Sequence, residues 1–237
     1  MPIAVDGIGL IEQNTMSAPK LEILPQAQRH LWQELRDTPQ EFVLYGGTAL
    51  ALRLGHRTSE DFDFFSNQAF SPDVLRKRIG YIADAEIRQL EENTLTVIVN
   101  RDGPVKVSFF GGLKLNRVQD PDVMPDNGIK VASILDIGAT KLATIQQRAQ
   151  SRDYEDVLAL ANAGVGLPEM LAAAEAVYGS TFNGTLSLKA LTFFADGDLP
   201  TLSSAVQSKL RTLASQVNLQ QMPLMEARMG ITGGVEL

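Results

Sequence analysis

The chain has 237 residues, a net charge of −7, 44% hydrophobic and 21% charged residues, two histidines and no cysteine. That is enough apolar material for one large or two small domains. It excludes disulfide and thiolate chemistry, weighs against a zinc site, and argues against nucleic-acid binding over the whole surface while leaving room for a local basic groove.

Residues 1–21 show no clear periodicity and are expected to form a flexible arm. The first twenty, MPIAVDGIGLIEQNTMSAPK, have no basic region ahead of their apolar part and do not read as a secretion signal. No apolar run reaches the roughly 18–20 residues that cross a bilayer, so a cytoplasmic protein without membrane contact is expected. Residues 25–37 predict a helix, with Leu31, Trp32 and Leu35 at helical spacing and Pro25 in the first turn. FVLY at 42–45 is a short buried strand ended by Gly46-Gly47. TALALRLG at 48–55 is a helix closed by Gly55, and DFDFF at 61–65 is a second strand. SPDVLRKRIG reads as a helix with Ser71 as its cap and Pro72 at its first position.

Three strands follow, AEIRQLEE, TLTVIVNR and VKVSFFGG, separated by turns at Asn93 and at Asp102-Gly103-Pro104. IKVAS at 129–133 is expected as one more edge strand. From Ser133 the character changes to successive helical segments: SILDIGATKLATIQQRAQ, DYEDVLALANAG, LPEMLAAAEAVYG, SLKALTFFADG and LSSAVQSKLRTLASQV. The expected fold class is α+β. A mixed sheet flanked by helices spans 22–132, a helical domain 133–217, and a fraying tail 218–237.

The string GGTALALRLGHRTSEDFDFF at 46–65 carries the chemistry. Side chains alternate along a strand, so Asp61 and Asp63 share one face while Phe62 and Phe64 point to the other. Burying unpaired carboxylates is costly, so this pair asks for a partner. Two carboxylates suit a hard cation such as Mg²⁺, which bridges protein oxygens and substrate phosphates. Gly46-Gly47 at the mouth of a helix offers backbone N–H groups and the positive end of a dipole to a phosphate. Each feature alone is common in tight turns or solvated edges; joined on one strand–loop–helix–loop–strand unit they point to nucleotidyl transfer.

Gly46-Gly47, thirteen residues, then Asp61-Phe62-Asp63 resembles the first motif of the polymerase-beta-type nucleotidyltransferases. The longer string resembles more narrowly the AbiEii/AbiGii toxin family. SILDIGATKLATIQQRAQSRDYEDVLAL resembles that family's second block, so the likeness covers roughly residues 22–165. It implies a nucleotidyltransferase-type mixed sheet followed by helices, a bacterial toxin of a toxin–antitoxin or abortive-infection system, a nucleoside triphosphate as substrate and Mg²⁺ as cofactor. It also implies an RNA or protein acceptor and a cognate antitoxin partner. By the same resemblance Gly46, Gly47 and Thr48 line the phosphates, Asp61 and Asp63 bind the metal, and His56, Arg57 and Ser59 match the loop between them. Lys141 matches a lysine that contacts the nucleotide, with Arg152, Asp153 and Asp156 in the adjoining segment. The residues themselves leave alternatives: Lys141 reads equally as a surface lysine, Arg152, Asp153 and Asp156 as an interhelical salt-bridge network, and His56 and Arg57 as braces of their loop.

The pattern breaks once. The superfamily adds a third carboxylate from a later strand, in a Lys-x-Asp pattern, but here that strand reads PVKVSFFGG. Lys106 and Ser108 share a face, and Ser108 takes the position of the acid; both are candidates for nucleotide contact. A hydroxyl is a poor metal ligand and a poor base. One reading is therefore an active enzyme using a substrate group, Asp102 or Glu92 as base. The other is a nucleotide-binding or partner-binding module with weakened catalysis. For an RNA acceptor the basic candidates are Arg53, Arg57, Arg76, Lys77, Arg78 and Lys106, although the run at 76–78 reads more readily as a solvated helix face.

Overall fold

The computed structural model describes Met16 and residues 18–233. The described strands are β1 (Val43–Tyr45), β2 (Asp61–Phe65), β3 (Glu86–Glu91), β4 (Thr94–Asn100), β5 (Pro104–Phe110), β6 (Asp122–Val123) and β7 (Lys130–Val131). They form one mixed sheet in the order β3-β4-β5-β2-β1-β7-β6. The meander β3-β4-β5 is antiparallel, β5 lies parallel to β2, β2 antiparallel to β1, and β1 parallel to β7. The expected α+β fold is therefore present, but 129–133 is not an edge. β7 pairs on both sides, and the edge is β6, whose two residues are too few to leave a period in the sequence.

The helices are α1 (Gln26–Trp32), α2 (Gly46–Leu54), α3 (Pro72–Arg78), α4 (Ile134–Thr144), α5 (Ser151–Asn162), α6 (Leu167–Tyr178), α7 (Gly184–Ala190) and α8 (Ser204–Ser215). The single helix expected at 25–37 tightens after Trp32 into a 3₁₀ segment, Gln33–Asp37. α2 takes Gly46 and Gly47 into its first turn, and Gly55 closes it at φ 66°. Asn93 and Asp102 turn the meander at φ 58° and 59°, as the turn residues led one to expect. The segment expected to be helical through 150 stops at Thr144, leaving 145–150 as a connector to α5.

The two faces of the sheet do different work. On one face Phe62, Phe64, Leu95, Val97, Val107 and Phe109 are all fully buried. Phe64 stacks on Phe109 at 5.4 Å and 14°, Phe42 meets Phe109 edge-on at 5.2 Å, and Trp32 lies 6.4 Å from Phe62. The alternation of DFDFF is what divides them: its even positions enter this core and its odd positions face the other way. On that second face α2 packs on β2, and α4 and α5 pack on α2.

Both chain ends return to this body where they are described. The Lys20 N–H donates to the Leu52 carbonyl and its ammonium to the Leu54 carbonyl, each at 2.8 Å. Most of the arm expected at 1–21 lies outside the described residues. The tail expected to fray instead pairs Arg228 with Arg117 and buries Ile231, whose N–H donates to Asn67 Oδ1 at 2.7 Å. Residues 234–237 lie outside the described part.

Phe109→Ala is expected to cost about 3–5 kcal/mol, because it opens a cavity between Phe42 and Phe64. Urea unfolding measures it, and an unmoved midpoint would contradict this packing.

Candidate functional site

The odd residues of β2 and the even residues of β5 meet in register: Asp61 beside Lys106, Asp63 beside Ser108, Phe65 beside Phe110. Thr96 and Gln89 continue the Asp63 row outward across β4 and β3. They floor a cleft of about 530 Å³. Its other wall comes from Gly47, Arg57, Ser59 and Glu60 on one side and from Lys141, Arg148, Gln150, Arg152 and Asp153 around the α4–α5 junction. Five of the lining side chains are basic and four acidic, in a chain of net charge −7. Of the six basic residues expected to serve an acceptor, only Arg57 and Lys106 line this cleft.

At its Gly46–Gly47 end the cleft is built by close approach. Gly46 has φ 76°, and a Cβ there would lie 2.9 Å from Asp63 Oδ2. A Cβ on Gly47 would lie 2.5 Å from Arg57 Nη2. Glycine at 47 is thus what lets the guanidinium lie over the first turn of α2, where helix geometry leaves backbone N–H groups without acceptors. Thr48 is a correction. It is buried, and its hydroxyl bonds Ser59 Oγ at 2.9 Å and the Asp61 carbonyl. It braces the loop onto β2 and does not line the cleft.

Lys106 Nζ sits 2.8 Å from Asp61 Oδ2, and both side chains are partly exposed. Asp63 is in a different state. Burial first, and the neighbouring Asp61 charge second, push its carboxyl above the usual aspartate value, with only partial relief from Lys106 and Lys141. A cation placed beside Asp63 would remove that penalty. Ser108 is 2% exposed, and Thr96 Oγ1 donates to its hydroxyl at 3.3 Å, so serine does stand in register beside Asp63.

Behind the cleft lies a buried ion network. The fully buried Asp156 carboxylate accepts from Arg57 Nε and Nη2 at 2.7 and 2.8 Å, meets His56 Nε2 at 2.8 Å, and holds Lys141 Nζ at 2.6 Å. Asp153 accepts from Lys141 at 2.8 Å and from Arg148 Nε at 2.8 Å. Burial opposes the charge on Asp156, yet the hydrogen bonds from His56 and Arg57 and the Lys141 charge outweigh it and hold its carboxyl far below the usual range. Asp153 is lowered likewise, burial being overcome by Arg148 and Lys141. Lys141, Arg57 and Asp153 are members of this network and also line the cleft. Lys141 is buried, not a surface lysine. Arg152 is exposed at the cleft wall.

Other expectations fall away from the site. Asp102 pairs with His30 at 2.9 Å, and Glu92 lies at the β3–β4 turn near Phe70, so neither can act as base in the cleft. Arg53 is held by Asp122 and the Ala132 carbonyl, and Arg78 by Glu41 on another surface. Residues that the sequence reading missed are Arg148, Gln150, Gln89, Thr96, Glu60 and Phe110. Arg148 and Gln150 sat inside an apparent helix, and nothing local marked them. Phe110 could have been found from alternation with Lys106 and Ser108.

A family model described as nucleotidyl transferase AbiEii toxin, type IV TA system, matches residues 30–223. An uncharacterised protein of Aquifex aeolicus (strain VF5) is 35% identical over 119 residues, which is 49% of this chain and 56% of that protein. The chain thus matches little more than half the length of this curated relative. Among solved structures, a nucleotidyltransferase of H. pylori superposes with a TM-score of 0.51 at 20% identity, over 83% of this chain and 94% of that one. MenT4, a nucleotidyltransferase toxin of Mycobacterium tuberculosis H37Rv, superposes with a TM-score of 0.57 at 16% identity, over 81% and 83%. At these identities the two structures speak for the fold.

Asp156→Asn is expected to destabilise the protein by about 3–5 kcal/mol at pH 7, because Arg57 and Lys141 lose a buried counter-charge. The native carboxyl lies below the ordinary 3.8. Its contribution is therefore full above that value and fades as pH falls through the lower native one. Urea midpoints of the two proteins should separate at pH 7 and converge toward pH 2. Equal midpoints at pH 7 would contradict the network.

Proposed function

This chain belongs to the family of AbiEii nucleotidyl transferase toxins, and we propose on that footing that its cleft transfers a nucleoside monophosphate from a nucleoside triphosphate to an RNA or protein acceptor. The observation that carries the reading is the meeting, in one cleft, of the Gly47–Arg57 anion cradle and the Asp61–Asp63 pair.

The first-turn N–H groups of α2 and the Arg57 guanidinium hold the outer phosphates. Lys141 and Arg148, fixed by Asp153, neutralise charge along the opposite wall. An acceptor hydroxyl then attacks the α-phosphorus and releases its proton to solvent, while the bond between the α-phosphorus and the bridging oxygen breaks and pyrophosphate leaves. Developing charge on the leaving phosphates falls on the same preset cations, which need no rearrangement.

Asp61 and Asp63 fit a magnesium ion as a two-residue oxygen set, since Mg²⁺ commonly takes one or two carboxylates and completes its shell with waters and substrate phosphates. Among the described residues no three acidic or histidine side chains converge. When bound, Mg²⁺ would supply charge neutralisation at the triphosphate. Lys106 would share the task of balancing Asp61. Of the cleft carboxylates, Asp61 and Asp153 are ion-paired, while Asp63 and Glu60 have no ion-pair partner among the described residues.

A second reading rests on Ser108. With serine beside Asp63 where the family's third acid is expected, the cleft would bind nucleotide and transfer it slowly or not at all. A cognate antitoxin as partner and a cytoplasmic setting accompany the toxin reading.

Incubation with Mg²⁺, each labelled nucleoside triphosphate and total bacterial RNA separates the two. Active transfer should label RNA or protein and fall by at least about a hundredfold in Asp63→Ala. Nucleotide binding without label in any condition would sink the transferase reading. In that case a gain of labelling in Ser108→Asp would identify the serine as the cause.

A further inference from the structure

We propose that Phe110 is the platform on which the base of the bound nucleoside triphosphate stacks. This rests on the nucleotide-binding reading of the cleft and assigns its far end.

Among the residues that line the cleft, Phe110 alone is aromatic, and apart from Gly47 the rest carry polar or charged side chains. Its placement follows from the strand. Lys106, Ser108 and Phe110 alternate onto the cleft face, while Val107 and Phe109 enter the core. Core packing therefore explains Phe109 and leaves Phe110 only partly buried on a polar wall.

The ring is nevertheless held. Phe65 meets it edge-on at 5.6 Å and 89°, and Phe65 is itself stacked on the buried Tyr45 at 5.0 Å and 12°. An aromatic row runs across β1, β2 and β5 and ends at a ring that borders the cleft. An oriented ring binds a planar partner at a lower entropic cost than a mobile one.

The position matches a nucleotide's length and polarity. The cations and the α2 N-terminus gather at Gly47, Arg57 and Lys141, and the Asp63–Ser108 pair comes next. Phe110 stands two residues further along β5, beside Phe65 and Thr94. A triphosphate seated on the cradle therefore directs its nucleoside toward Phe110. Gln89 and Gln150 line the same cleft from β3 and from the α4–α5 connector. Carboxamides both donate and accept hydrogen bonds, which suits the edge of a stacked base. Stacking itself tolerates any base, so preference among the four would come from these amides.

The test is calorimetric binding, with Mg²⁺, of ATP, GTP, CTP and UTP and of base-free ribose 5-triphosphate. Wild type should bind at least one nucleotide about tenfold more tightly than ribose 5-triphosphate, at the low end of what one base–aromatic stack provides. Phe110→Ala and Phe110→Leu should lose that preference while keeping wild-type affinity for ribose 5-triphosphate, and Phe110→Trp should retain it. The leucine variant keeps an apolar side chain, so a loss shared with alanine reports the ring and not the packing. Retained base preference in both variants would overturn the proposal, as would equal loss of both ligands. Wild-type binding of ribose 5-triphosphate with no gain from any base would overturn it and leave the transferase reading standing. Binding of neither would remove both.

Discussion

The Asp156 carboxylate is the interaction on which the site depends. It is fully buried, and an isolated carboxylate there would protonate. It stays charged because His56, Arg57 and Lys141 all reach it. Those partners come from the α2–β2 loop and from α4, while Asp156 belongs to α5. One acid therefore ties the cradle loop of the sheet to the helices that form the opposite wall, and the cleft exists as the gap between them.

Asp63 shows the opposite solution to the same problem. Both aspartates are largely desolvated, yet one is held far below the ordinary range and the other is raised. The difference lies in the partners. Asp156 has strong charge-assisted hydrogen bonds from both sides, whereas Asp63 faces a second acid and more distant cations. A partly buried acid with a raised carboxyl pKa, in a cleft, marks a candidate functional position. Asp63 lies in the same cleft as Gly47, Arg57, Lys106 and Lys141, which is why the proposed nucleotide is placed there.

Much of this was legible in the sequence because it depends on short-range rules. The alternation of DFDFF fixed which residues face the cleft, and Gly55, Asn93 and Asp102 marked turns through their tolerance of positive φ. Ser108 was also singled out, and the parallel register of β2 and β5 sets it beside Asp63. What was hidden depends on distance. Thr48 was expected at the phosphates by resemblance alone, but its helix turns the hydroxyl inward to Ser59. Arg148 and Gln150 looked helical, and only the stop at Thr144 swings them over the cleft. The Asp156 network joins residues about a hundred positions apart, which no local pattern encodes.

On the proposed function, nucleotide enters this cleft with its phosphates on the Gly47–Arg57 cradle. A crystal structure with Mg²⁺ and a non-hydrolysable nucleoside triphosphate tests it most directly. The phosphates should lie against the first turn of α2 and Arg57, with the α-phosphate beside Asp63. Nucleotide bound elsewhere, for instance in the groove between α5 and α8 lined by Leu158, Ala161, Lys209 and Leu213, would contradict the account.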